Sequence, residues 1–181
     1  WEDRTPGYPI IYHAWRRSDW RWESRPIPNS AGRRPAACVD PNGRLHVAFQ
    51  TGEDSLTSGD ILYTCLQDGN WSPLQLISSG NSPAAGVALA ADSSGMLHAV
   101  WRERRQNADV IGYASGRPSV WSAMQTISPL LDRGAFPDLA IARDGRLHVA
   151  WDHTEVLEHV QTGAAGSRWM PVEMAAAEFY R

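Results

Sequence analysis

Apolar residues along the chain fall in short runs, such as Ile61-Leu62-Tyr63 and Leu97-His98-Ala99-Val100-Trp101, and each run is ended by Gly, Pro, Asn, Asp or Ser. None is long enough for an amphipathic helix, so the pattern predicts β-strand throughout. One run is written three times: Asn42-Gly43-Arg44-Leu45-His46-Val47-Ala48-Phe49, Ser94-Gly95-Met96-Leu97-His98-Ala99-Val100-Trp101 and Asp144-Gly145-Arg146-Leu147-His148-Val149-Ala150-Trp151. From His46 to His98 is 52 positions and from His98 to His148 is 50. A fixed period of this length marks an array of one structural unit.

The repeat continues past the His. A segment with an aromatic follows each copy, in Ile61-Leu62-Tyr63, Val110-Ile111-Gly112-Tyr113 and Val156-Leu157-Glu158-His159, and a Trp comes soon after, at Trp71, Trp121 and Trp169. The segment also precedes the first full copy, as Ile10-Ile11-Tyr12 with Trp20. The alignment puts Tyr12, Tyr63, Tyr113 and His159 in one column and Trp20, Trp71, Trp121 and Trp169 in another. Trp1 aligns with Phe49, Trp101 and Trp151. Four strands per unit are predicted: 35–40, 44–50, 60–66 and 71–78; then 86–91, 96–102, 109–115 and 121–128; then 137–142, 146–152, 155–161 and 169–175. Asp40-Pro41-Asn42-Gly43 and Gln67-Asp68-Gly69-Asn70 read as tight turns whose Gly takes positive φ.

Repeated four-stranded units of about 50 residues indicate a β-propeller, an all-β fold whose blades pack face to face around an axis. The first strand of each unit is rich in small residues, as in Ala36-Ala37-Cys38-Val39, Val87-Ala88-Leu89-Ala90-Ala91 and Leu139-Ala140-Ile141-Ala142, which suits a blade that tapers toward the axis. A β-helix or sandwich accounts for the strands but not for the taper. The 181 residues divide into half a blade (1–28) and three complete blades (29–80, 81–130 and 131–176). Propellers close with about four to eight blades, so the expectation is a partial ring, completed by further blades of a longer chain or by further subunits.

The Gly turn followed by Leu-His-Val-Ala-Trp, then Ile-Leu-Tyr, then Asp68-Gly69-Asn70-Trp71-Ser72-Pro73 resembles the sialidase-like, or BNR-type, propeller repeat over nearly the whole chain. In that family the turn between third and fourth strands carries an Asp box, Ser/Thr-x-Asp-x-Gly-x-x-Trp/Phe. Only Asp68-Gly69-Asn70-Trp71 approaches it, without the leading hydroxyl and at a different spacing. For a sialidase the resemblance implies an Arg triad on the substrate carboxylate, a Tyr nucleophile activated by Glu, an Asp acid and an early Arg-Ile-Pro motif. Arg25-Pro26-Ile27-Pro28 has an inserted Pro and is expected in an interblade turn, so no catalytic residue carries over.

Composition narrows the classes. A net charge of −3 and pI near 6.1 provide no basic field for nucleic acid, and no apolar run approaches a membrane span. All 17 basic residues are Arg, which fits a GC-rich bacterial coding bias. Two cysteines are too few for a disulfide framework. Cys38 and Cys65 are placed two strands apart, about 9–10 Å, beyond the ~7 Å that bridging allows, so both are expected free and the redox compartment stays open.

His46, His98 and His148 recur at one place in three units, which predicts packing and not metal ligation; no metal or cofactor is expected. The Trp columns likewise predict rings that fill space between blades. Function in such scaffolds belongs to loops. The segments after the second strands, Gln50 to Ser55, Arg102 to Asn107 and Asp152 to Glu155, differ sharply while the strands agree. Candidate ligand-binding residues are Trp101, Arg102, Glu103, Arg104 and Arg105, where planar guanidinium forks stand beside an aromatic wall and suit a carboxylate or glycan, together with Asp152 and His153. Trp15 and Arg16, outside both columns, complete the set. The expected function is a non-catalytic module that binds a glycan or protein, within a larger extracellular or cell-surface protein. The alternatives are part of a sialidase-type glycoside hydrolase, or a structural subunit that completes a ring by association.

Overall fold

The computed structural model describes residues 1–3, 9–52, 59–131, 136–153, 156–163 and 168–176. Glu53, Asp54, Ser55, Thr154 and Glu155 of the expected loops lie outside them. The described residues form four antiparallel sheets, each a meander in which strands follow one another in chain order. The first holds β1 (Glu2–Asp3), β2 (Ile10–Arg16) and β3 (Trp22–Ala31). The second holds β4 (Arg33–Val39), β5 (Leu45–Gln50) and β6 (Ile61–Gln67), with a fourth strand in two pieces, β7 (Asn70–Trp71) and β8 (Gln75–Leu76). The third repeats this with β9 (Ala84–Ala91), β10 (Leu97–Arg105), β11 (Ala108–Arg117), β12 (Val120–Trp121) and β13 (Gln125–Thr126). The fourth holds β14 (Asp138–Ile141), β15 (Leu147–His153), β16 (Val156–Gln161) and β17 (Glu173–Ala176).

Three hydrophobic clusters lie between successive sheets. Ile11 and Ile27 meet Val47 and Phe49; Ile61, Tyr63 and Ile77 meet Val87, Leu89, Leu97 and Trp101; Ile111, Tyr113 and Ile127 meet Leu147, Val149 and Trp151. The isoleucine pairs are fixed by a device that recurs in the first three sheets: a serine hydroxyl in or just after the last strand accepts the backbone N–H of the first isoleucine. The pairs are Ser30 with Ile11 at 3.2 Å, Ser78 with Ile61 at 3.1 Å and Ser128 with Ile111 at 2.8 Å.

This device corrects the alignment of the first unit. Ile11 is the equivalent of Ile61 and Ile111, so His13, and not Tyr12, stands in the column of Tyr63 and Tyr113. Trp22, opposite Arg16 as Trp71 is opposite Leu66, replaces Trp20 in the Trp column. Trp20 sits in the hairpin turn with φ 68°. Trp1 keeps its assigned place, since Glu2 lies opposite Ile11 as Gln50 lies opposite Ile61. Arg25-Pro26-Ile27-Pro28 belongs to β3, paired with β2, and not to a turn.

The recurrent histidines join the columns. His46 Nδ1 lies 2.7 Å from the Tyr63 hydroxyl and His98 Nδ1 lies 2.9 Å from that of Tyr113; in the fourth sheet His148 Nδ1 meets His159 Nε2 at 3.1 Å. Their other ring nitrogens face the turn carboxylates, with His46 Nε2 at 3.4 Å from Asp40 and His98 Nε2 at 3.5 Å from Asp92. Asp40 caps its own turn, accepting the N–H groups of Asn42 and Arg44 at 2.9 and 3.0 Å and the Arg44 Nε at 2.8 Å. Burial would raise the Asp40 carboxyl, but the hydrogen bonds from Arg44, Asn42 and His46 outweigh it and hold the group well below the usual carboxylate range. Burial lowers the pKa of His46 and His98, against the pull of the neighbouring aspartates. His46 and His98 are thus neutral links in an Asp-His-Tyr chain, a packing role. Cys38 and Cys65 are both free.

Candidate functional site

The Arg-rich segment read as a loop is strand: β10 runs to Arg105, and only Gln106 and Asn107 separate it from β11. Alternation along β10 sends its side chains to two faces. On one, the buried Trp101 indole N–H donates to Glu103 at 3.2 Å, and Arg105 reaches Glu103 at 3.3 Å. On the other, Arg102 and Arg104 flank the buried Asp109 carboxylate at 3.8 and 3.3 Å. Burial lowers the Arg102 pKa while Asp109 supports its charge; a guanidinium starts so high that it stays protonated. The Arg102 and Arg34 guanidinium groups lie 5.7 and 4.7 Å from the Phe136 ring, and the Phe136 N–H donates to Asp152 at 3.2 Å. Gly86, at φ +64°, leaves room for that ring: a Cβ there would stand 2.3 Å from Phe136 Cδ1. Trp101, Arg102 and Glu103 are therefore brought together as a buried, charge-compensated strut, with Arg104 and Arg105 half-exposed at its end. Asp152 is exposed and His153 ends β15.

Trp15 lies in a different place, a cleft between the first two sheets. His13 and Trp15 are two residues apart on β2 and so share a face, and Arg25 stands opposite His13 on β3. Trp71 closes the cleft from the second sheet. The His13 ring is 5.1 Å from that of Trp15 and 5.7 Å from that of Trp71, at 31° and 82° respectively. The Arg25 guanidinium lies 5.6 Å from the Trp15 ring. With Leu66 and Gly69 these groups line a cavity of about 320 Å³. Burial, and then the positive N-terminus, lower the His13 pKa, so the imidazole is neutral at pH 7 and offers one donor and one acceptor. Gly69, at φ +79°, belongs to the two-residue Asp68-Gly69 turn between β6 and β7 and keeps the cavity mouth free of a side chain. Arg16 points elsewhere, its guanidinium 4.1 Å over the exposed Trp20 ring.

Sequence reading missed His13, Arg25 and Trp71. The alternation of His13 with Trp15 was available as a signal, but Trp71 comes from the next repeat and joins the cleft only through blade packing. Among the described residues no three His, Cys, Asp or Glu side chains are grouped to hold a metal ion, and no helix is long and apolar enough to cross a membrane.

No family model matches the sequence, and no curated protein matches it. Solved structures do. An α-L-arabinanase from Penicillium chrysogenum, complexed with arabinobiose, superposes with a TM-score of 0.65 at 16% identity over 96% of this chain and 61% of its own. The NanB sialidase from Streptococcus pneumoniae gives 0.63 at 10% identity, over 82% of this chain and 44% of its own. The α-L-arabinofuranosidase PaAbf62A from Podospora anserina, in complex with cellotriose, gives 0.53 at 14%, over 84% and 54%. The chain thus spans between 44% and 61% of the length of these structures. It has a β-propeller fold. The four sheets are blades of a partial ring, three of them with all four strand positions and the first with the outer three.

Proposed function

We propose that this chain is a carbohydrate-binding propeller module and that the cleft between the first and second blades is its site. The observation that carries this reading is the convergence of Trp15, His13 and Trp71 with Arg25 around one cavity. A pyranose ring has an apolar face that stacks on an aromatic ring and a rim of hydroxyls that need donors and acceptors. Trp15 supplies the platform, Trp71 the second wall, Arg25 a fork of donors and neutral His13 one of each. The six lining residues include no carboxylate, whereas most glycoside hydrolysis uses a pair, so the reaction assigned to this cleft is binding alone. Arg102 to Arg105 are taken up by ion pairs and hydrogen bonds within the third blade, Asp152 accepts the Phe136 N–H, and none of them is assigned to the ligand.

The test is titration of the chain with neutral and acidic oligosaccharides, read by tryptophan fluorescence and calorimetry. Saturable binding is expected, lost in Trp15→Ala and weakened at least about tenfold in Arg25→Ala, which removes a charge-assisted donor, with both variants melting near wild type. Binding that survives both substitutions would remove the cleft from consideration, and a chain that binds no sugar would remove the function.

A further inference from the structure

The blade boundaries share one frame, and the first departs from the others at two positions. Counting from the anchored isoleucines Ile11, Ile61 and Ile111, the place of Trp15 is taken by Cys65 and Ser115 in the next two blades. The place of Arg25, opposite His13, is taken by Gln75 opposite Tyr63 and by Gln125 opposite Tyr113. Between the second and third blades these shorter residues let the boundary close. Cys65 is buried, and the Gln75 amide donates to the Pro118 carbonyl at 2.6 Å, in the turn between β11 and β12. The Asp68-Gly69 turn occupies the same place at the first boundary. There Trp15 and Arg25 stand over a cavity of about 320 Å³ instead.

Among the described residues the Arg25 side chain has neither a hydrogen bond nor an ion pair. The carboxylates around it are engaged elsewhere. Glu23, two residues away on the same face of β3, is ion-paired with Arg17 across the hairpin, and Asp68 accepts the Gln67 amide at 3.4 Å. What Arg25 touches is the Trp15 ring, 5.6 Å from its guanidinium, close to the ~6 Å limit of cation–π attraction. A cation held this weakly beside an aromatic platform, and exposed to solvent, turns readily to an anion on a ligand.

We infer that this cleft selects a sugar that carries a carboxylate, a hexuronate unit of an acidic glycan, and that Arg25 is the residue that decides for the anion. The inference rests on the carbohydrate-binding reading above and names the ligand class of the same cleft. In a hexuronate the carboxylate is attached at the rim of the pyranose, so a ring stacked on Trp15 presents it sideways. There a guanidinium meets both carboxylate oxygens in one plane, the geometry for which Arg is suited and Lys or an amide is not. Gln75, at the equivalent place, has only a neutral amide, and it is already bonded to Pro118. Neutral His13, opposite Arg25, is left for the ring hydroxyls. The subsite is thus a single guanidinium on the outer strand β3, set apart from the inner strands β4, β9 and β14.

The experiment titrates the chain with oligomers of galacturonate and of glucuronate, each beside its own methyl ester, which keeps the sugar ring and removes the charge. At least one acid should bind about tenfold or more tightly than its ester, as a charge-assisted bidentate pair requires. The ratio should shrink in high salt, because Arg25 is exposed to the screening ions. In Arg25→Gln, the residue that the next two blades carry at this place, the ratio should fall to about one, and Arg25→Lys should restore it only in part. Equal binding of acid and ester would overturn the inference and leave the carbohydrate-binding reading standing, as would a preference that survives Arg25→Gln. A sulfated galactan oligomer that binds as tightly as the best uronate would overturn the assignment to a carboxylate. Failure of acids, esters and neutral oligosaccharides alike would remove the carbohydrate-binding reading itself, and this inference with it.

Discussion

Tyr63 and Trp121, 58 positions apart in sequence, meet edge to face across the boundary between second and third blades, with ring centroids 5.1 Å apart at 70°. Tyr113 and Trp169 repeat the contact at 5.0 Å and 79°, and His13 and Trp71 at 5.7 Å and 82°. Trp71, Trp121 and Trp169 thus each dock on the preceding blade. Trp121→Ala should cost about 3 kcal/mol, at the lower end for removal of a large packed ring, and lower Tm by roughly 6–12 °C at this chain length. Trp22→Ala removes the same repeat position where it is 70% exposed, and should cost under about 0.5 kcal/mol. Equal losses in the two variants, measured by urea unfolding, would refute the interblade role.

Stability should fall in two stages as pH drops. His46 and His98 have pKa values lowered by burial, so the unfolded chain takes up their protons first, and stability declines as pH falls below about 6.5. Asp40 and Asp92 are held low by hydrogen bonds that outweigh burial. Their contribution is complete above about pH 4 and is lost below it. The urea midpoint should be lower at pH 5.0 than at pH 7.5, and His46→Gln with His98→Gln should flatten that difference, leaving the part due to His13. A midpoint that does not change over this range would contradict the buried neutral histidines.

The repeat made most of the fold legible, because blade packing demands the same residue type at the same place and writes it as columns. The first unit misled for a local reason. Ile10 and Ile11 are adjacent, and the β2–β3 hairpin turns through Arg17 to Arg21 instead of two residues, so an alignment on Ile-Ile-Tyr slipped by one; Ser30 shows the true register. The Arg-rich segment looked like a loop because four of five consecutive residues carry charge. Asp109, across the hairpin, neutralises two of them and lets the strand continue. Trp15 was recognised as off-repeat, but its partners Arg25 and Trp71 are neighbours only through pairing and packing, which no single run of sequence expresses.

The Cys38 thiol should be unreactive while the chain is folded. Burial and the nearby Asp40 carboxylate push its pKa up to about 12, and it is the thiolate that reacts. Labelling with a disulfide reagent at pH 8 should be much slower in the native chain than in urea, with Cys65 protected by its burial. Rapid native labelling of Cys38 would show that the boundary between the second and third blades opens more readily than the packed structure allows.

One copy of the turn lacks its cap, which provides a stabilising substitution. The Asp40 N–H donates to Arg44 O and the Asp92 N–H to Met96 O, and Ala142 makes the same backbone bond to Arg146 O. Ala142 therefore occupies the capping position without a carboxylate. In its absence the Arg146 N–H turns to Asp144, an exposed side chain, at 3.1 Å. Ala142→Asp should recover the two N–H acceptors made by Asp40 and Asp92 and give His148 the carboxylate neighbour that His46 and His98 already have. The expected gain is about 0.5–2 kcal/mol, typical of restoring a local consensus, read as a higher urea midpoint at pH 7 that diminishes near pH 4 as the new carboxylate is protonated. A lower midpoint would mean that the His148-His159 pair has replaced the Asp-His-Tyr chain with an arrangement that excludes the charge.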